Sequence, residues 1–218
     1  MTAPARLDGR YVNRKVILPY GLLVSEVEQA VEETYRLFHG LNVFLGENGF
    51  EPLERLILGN SLSGLISEFL VKNIERASKS LVANSKVGGY PDLLPKGHYG
   101  SSLVLKGDEG IEVKCSIQKG GWQGHNPEEC WLMVFRYAVG EQQSGQTVPL
   151  TFVEILCARL KKSDWSYSGR KGASRRTPTA SITAAGVEKL RANFLYRIPH
   201  VGVGRHRSIL AKPDGSGT

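Results

Sequence analysis

The chain has 218 residues, 41% of them apolar and 22% charged, with a formal net charge of +7. That length suits one domain on one core, here 1–210, with a flexible tail over 211–218. No stretch approaches the roughly eighteen apolar residues of a membrane span, and the first residues lack the apolar core of a signal peptide, so a cytoplasmic protein is expected. Cys115, Cys130 and Cys157 are widely spaced within apolar runs, which points to buried free thiols rather than a disulfide or a zinc site.

Residues 1–20 read as extended and end at Pro19. Ser25 and Glu28 then stand at capping-box spacing. Val27, Ala30, Val31, Thr34, Phe38 and Leu41 recur at helical intervals, predicting a helix over 25–39 before the break Gly46-Glu47-Asn48-Gly49. A second helix is predicted over 61–79, where Leu62, Ile66, Phe69, Leu70 and Ile74 form one apolar stripe. Glu68 falls off the centre of that stripe, together with Gly64, Val71 and Glu75. Strands follow, among them an apolar one over 111–116 opened by the turn Gly107-Asp108-Glu109-Gly110. The next stretch, 118–129, is a loop whose Gln118, Lys119, Trp122, Gln123, His125 and Asn126 could face a groove. Two apolar strands over 130–139 and 150–160 lead to a long irregular segment and a final helix over 183–195, with Val187, Leu190 and Phe194 on one face. Helices, then strands, then a helix fit an α/β protein with a mixed central sheet flanked by helices.

The chemistry concentrates between Tyr90 and Ser116. Successive side chains of a strand point to opposite faces, so Glu112 and Lys114 share one face while Ile111, Val113 and Cys115 take the other. Asp92 supplies a second carboxylate nearby in the chain. Two carboxylates suit a hard cation such as Mg²⁺, and an adjacent ammonium can orient an attacking water or offset charge growing on a phosphorus. Metal-dependent hydrolysis of a phosphodiester needs that set of groups.

Pro91-Asp92, nineteen intervening residues and then Glu112-Val113-Lys114 resemble the PD-(D/E)xK nuclease superfamily, and within it the type II restriction endonucleases. The layout matches over about residues 61–160, and the residues match at the motif alone. The resemblance implies a restriction-endonuclease-like three-layer core and catalysis by Asp92, Glu112 and Lys114. It implies Mg²⁺ held by Asp92, Glu112 and the carbonyl of Val113, double-stranded DNA as substrate and a homodimer for palindromic sites. Glu68 matches the place of a helix glutamate that serves some members as an added metal or water ligand; a solvated outer-face glutamate is the other reading. A structure-specific or repair nuclease of the same superfamily, and a DNA-binding protein without catalysis, are the alternatives.

Charge supports a polyanionic partner. Between Arg159 and Arg207 stand twelve basic residues against two acidic ones, a balance of +10 that leaves the rest of the chain at −3. Such a field draws nucleic acid. Within this basic segment, 159–207, Ser168, Arg170, Lys171, Ser174, Arg175, Arg176, Thr177 and Thr179 are of types that bind phosphates or base edges, and Lys119, Gln123 and His125 join them from the loop after the motif strand.

Overall fold

The computed structural model describes residues 3–124, 126–141, 147–167, 169 and 179–199. Helix α1 (Val24–Glu47) buries Val27, Ala30, Val31, Thr34, Tyr35 and Phe38. Its start differs from the predicted capping box. Ser25 already lies inside the helix, and Glu28 pairs with Arg14 at 2.9 Å. The buried Glu26 takes the capping role: one oxygen accepts from the Leu23 N–H at 2.9 Å and the other from the Lys79 N–H at 3.0 Å. One carboxylate thereby ties the start of α1 to the turn at Lys79. The helix also outruns its predicted end, because Asn42 caps the next short helix, α2 (Leu53–Leu56), by accepting from the Leu53 N–H at 2.8 Å. That docking offsets the roughly 1 kcal/mol that each of Gly40 and Gly46 costs a helix. Helix α3 (Gly59–Ala77) packs beside α1, and the buried Asn73 donates to Thr34 at 3.0 Å between them.

The strands in chain order are β1 (Leu81–Ala83), β2 (Leu93–Pro95), β3 (Ile111–Ser116), β4 (Gln123–Gly124), β5 (Cys130–Glu141), β6 (Thr147–Leu160), β7 (Trp165–Tyr167), β8 (Ala180–Ile182) and β9 (Phe194–Arg197). Helix α4 (Ala184–Ala192) precedes the last of them. Six strands form one sheet in the order β1-β2-β3-β5-β6-β9, with β3 and β5 parallel and the other neighbours antiparallel. The remaining three form a small antiparallel sheet, β4-β8-β7.

Two corrections to the sequence reading follow. Parts of the segment expected to be irregular are the strands β7 and β8, pinned because Trp165 and Ile182 are buried. The final helix stops at Ala192, and Phe194 belongs to β9. Its neighbours Leu195 and the β-favouring Tyr196 bury at the open edge of β6, and that burial outweighs one more helical turn.

One core lies between α1, α3 and the sheet face that bears Ile111, Val113, Met133, Phe135, Phe152 and Ile155. The other lies on the opposite face, where Leu132, Val134, Leu156 and Leu160 meet Trp122, Trp165, Ile182 and Leu190. The arrangement is thus a six-stranded mixed sheet with helices against both faces. Strand β3 contributes nothing to the second core, so Glu112 and Lys114, which point to that face, stand at its margin. Among the described residues no helix is long and apolar enough to cross a membrane.

Candidate active site

Strands β2 and β3 pair through a single register position, Leu93 with Ile111. Gly110 sets how closely they approach. Its φ is +144°, and a side-chain carbon there would lie 2.4 Å from both the Leu93 carbonyl oxygen and the Pro91 ring. Beyond Leu93 the ladder ends, and the Val113 N–H that would continue it donates instead to Asp92 Oδ2 at 2.8 Å. In an extended strand one residue's N–H and C=O leave on the same side, so the Val113 carbonyl is also directed toward the Asp92 side of β3. Leu93 is buried in the first core, which turns its neighbour Asp92 toward the face of Glu112 and Lys114.

Lys114 Nζ donates to Glu112 Oε1 at 2.6 Å, and the side chains are 31% and 15% exposed. The pair is open enough to reach a ligand and dry enough for charge to matter. Burial, and then the Glu112 carboxylate, push the Asp92 carboxyl up to about 7, against the opposing pull of the Val113 N–H and Lys114. Burial disfavours the Lys114 ammonium, but Glu112, Asp92 and Glu128 together outweigh that penalty and hold its pKa above the usual lysine value. Asp92, Glu112 and Lys114, separate in sequence, form one electrostatic unit.

Glu128 went unnoticed in the sequence. It lies on the connection from β3 to β5, where its backbone carbonyl accepts from Trp165 Nε1 at 2.9 Å. Burial, then Glu112, raise its carboxyl pKa, so it borders the same site. The only hint in the chain was the pair Glu128-Glu129 just before β5. Tyr90 closes this side, its buried hydroxyl set near Glu128 and Cys130 without a well-formed hydrogen bond among the described residues.

The other candidates are more scattered. Glu68 is exposed on α3, which packs on the sheet face away from Glu112 and Lys114. Lys119 and Gln123 are exposed, Gln123 within β4, and Thr179 is partly exposed beside β8. Trp122 does not face a groove: it is 3% exposed in the second core, with its ring N–H donated to the Gln118 carbonyl at 3.1 Å. His125, Ser168, Arg170, Lys171, Ser174, Arg175, Arg176 and Thr177 lie outside the described residues, as does the tail 211–218. The three cysteines are free; Cys130 and Cys157 are buried, and Cys115 is partly exposed.

The donor set suits a hard divalent cation. Two neighbouring carboxylates, one resisting ionisation because it is buried and the other is near, and one strand carbonyl leave room for waters and phosphate oxygens. Among the described residues no three His, Cys, Asp or Glu side chains converge as a complete protein cage. Mg²⁺ commonly takes one or two carboxylates and keeps its waters, so the set fits that habit. No protein-family model matches the chain, and no curated protein matches its sequence.

Proposed function

We propose that the chain is a Mg²⁺-dependent DNA endonuclease of the PD-(D/E)xK type, with a restriction-endonuclease-like core, cutting in the manner of a sequence-specific type II restriction enzyme. The observation that carries this reading is the meeting of Asp92, Glu112 and Lys114 where β2 leaves β3. Asp92, Glu112 and the Val113 carbonyl would hold the metal. When bound, Mg²⁺ acts as a Lewis acid toward a phosphoryl oxygen and lowers the pKa of a water.

The chain's own groups divide the remaining work. Glu112 keeps Lys114 protonated, so Lys114 serves as a fixed positive charge that orients water and faces the phosphoryl oxygens, rather than as a proton acceptor. The Val113 N–H fixes the Asp92 carboxylate in place. Two copies related by a two-fold axis would present one such site to each strand of a palindrome. A structure-specific or repair nuclease would use the same groups on a different DNA shape.

The test is cleavage of phage, plasmid or branched DNA with Mg²⁺. Asp92→Ala and Glu112→Ala should each lose about 10²-fold or more of the cleavage rate, and Lys114→Ala should lose turnover while still binding DNA. Full activity in Asp92→Ala or Glu112→Ala rejects the assignment. A DNA-binding protein without catalysis is the second reading, favoured by one feature: Val113 and Lys114 already satisfy Asp92 and Glu112 within the protein.

A further inference from the structure

On the same sheet face as Glu112 and Lys114, three arginines surround one carboxylate. Glu154 on β6 is 3% exposed. Its Oε2 accepts from Arg136 Nε at 2.5 Å, and its Oε1 lies 3.3 Å from Arg197 Nε and 3.6 Å from Arg191 Nε. These groups line a groove of about 840 Å³ whose wall also includes Arg10 and Lys119. Positive charge exceeds negative here even with the exposed Glu188, 3.6 Å from Arg191 Nη1, and with Asp8, which pairs with Arg10. The largely buried Arg136 and Arg191 outnumber the one buried carboxylate, an excess that is costly unless an anion completes it, while Arg10 and Arg197 stay exposed at the rim. Arg191 Nε is buried and faces Glu154 Oε1 at 3.6 Å without closing a hydrogen bond among the described residues, so Glu154 does not fully satisfy the arginines around it.

The groove also has a defined place. In the parallel register Lys114 lies beside Val134, and Ser116 beside Arg136. Arg136 therefore stands roughly 7 Å along the strands and 5 Å across from Lys114 on the same face, so one bound strand can reach both. Arg191 Nη2 donates to the Lys119 carbonyl at 2.7 Å, fixing the loop that follows β3 against the groove. Glu154 holds the guanidinium planes, which suit phosphate oxygens, in fixed orientations.

We propose that this Glu154-centred arginine groove binds a backbone phosphodiester of the DNA strand that enters the Asp92–Glu112–Lys114 site. The proposal rests on reading the ligand as DNA. The groove sets the strand's path and contributes affinity, and the reacting groups stay with β2 and β3.

The experiment is equilibrium binding of a fluorescein-labelled DNA duplex across a salt series, with cleavage measured in parallel. Arg197→Gln and Arg10→Gln should each weaken binding on any sequence and flatten the slope of log K against log salt by about 0.9. Arg36→Gln, on α1 beyond the other face of the sheet, should leave the slope unchanged. Equal melting temperatures verify that the groove variants fold. Unchanged slopes in both groove variants, or an equal loss in Arg36→Gln, overturn the groove. Thermal stabilisation by inorganic phosphate with no change in DNA slope also overturns it, in favour of a small phosphoanion. Flattened slopes without cleavage by the wild type support the groove and count against the nuclease reading alone.

Discussion

A carboxyl group drawn partly out of water beside a second carboxylate keeps its proton to higher pH, and Asp92 is held near 7 for that reason. The unfolded chain ionises this group near 3.9. Folding therefore takes up a proton between about pH 4 and 7, and the native state loses stability as pH rises through that window. Asp92→Asn keeps an oxygen for the Val113 N–H and removes the charge. It should melt up to about 10 °C above the wild type at pH 8 and show no advantage at pH 4, as read by thermal unfolding without metal. An advantage that grows toward low pH contradicts the assignment. Mg²⁺ should narrow the pH 8 difference, because it stabilises the ionised form that the asparagine lacks.

At the scale of elements, the site depends on how tightly β2 meets β3. Gly110→Ala would force a methyl group against the Leu93 carbonyl and the Pro91 ring, neither of which can swing aside, and would strain a φ of +144°. Its expected cost is about 2–4 kcal/mol, with a melting temperature lower by roughly 5–10 °C. Cleavage should fall further than stability, since Asp92 moves with β2. Gly97→Ala is the matched control: φ is +77° there, nothing lies within 4 Å of the added carbon, and only about 1 kcal/mol should be lost. Similar effects of the two substitutions on cleavage would separate the strand spacing from the chemistry. The start of α1 teaches a related lesson. Ser25 and Glu28 have the spacing of a cap, but Glu26 reaches both Leu23 and Lys79 from a buried position, and tertiary contact decides the register.

For the whole molecule, binding and chemistry should part when the ion is exchanged. Ca²⁺ and Mg²⁺ are both hard divalent ions that screen carboxylates from phosphates, so either should support tight docking of DNA. Ca²⁺ takes longer bonds of about 2.3–2.6 Å and acidifies water less, so cleavage should stall while binding survives. Gel shift and cleavage on one labelled duplex in each ion read the two effects. Binding indifferent to both ions, with no cleavage of duplex, methylated, branched or single-stranded DNA, would replace the nuclease by the DNA-binding reading.

Periodicity made α1, α3 and the alternation of β3 legible from the sequence, because a helix or strand with one buried face repeats its apolar residues at 3.6 or 2 positions. The same alternation put Glu112 and Lys114 on one face, and both do lie there. Asp92 was expected beside Glu112 from the motif resemblance and not from periodicity; its bond to the Val113 N–H was not legible, because it exists only where the β2–β3 ladder stops at Leu93, a fact of packing around Pro91 and Gly110. Glu128 left only the acidic pair before β5, and the Glu154 cluster left no local pattern. The partners of Glu154 come from separate strands and from α4, as Arg136, Arg191 and Arg197 do. Local spacing determines which side chains share an element and a face; which faces meet, and so which charges must share one patch of low-dielectric space, is decided only when the sheet closes over its two cores.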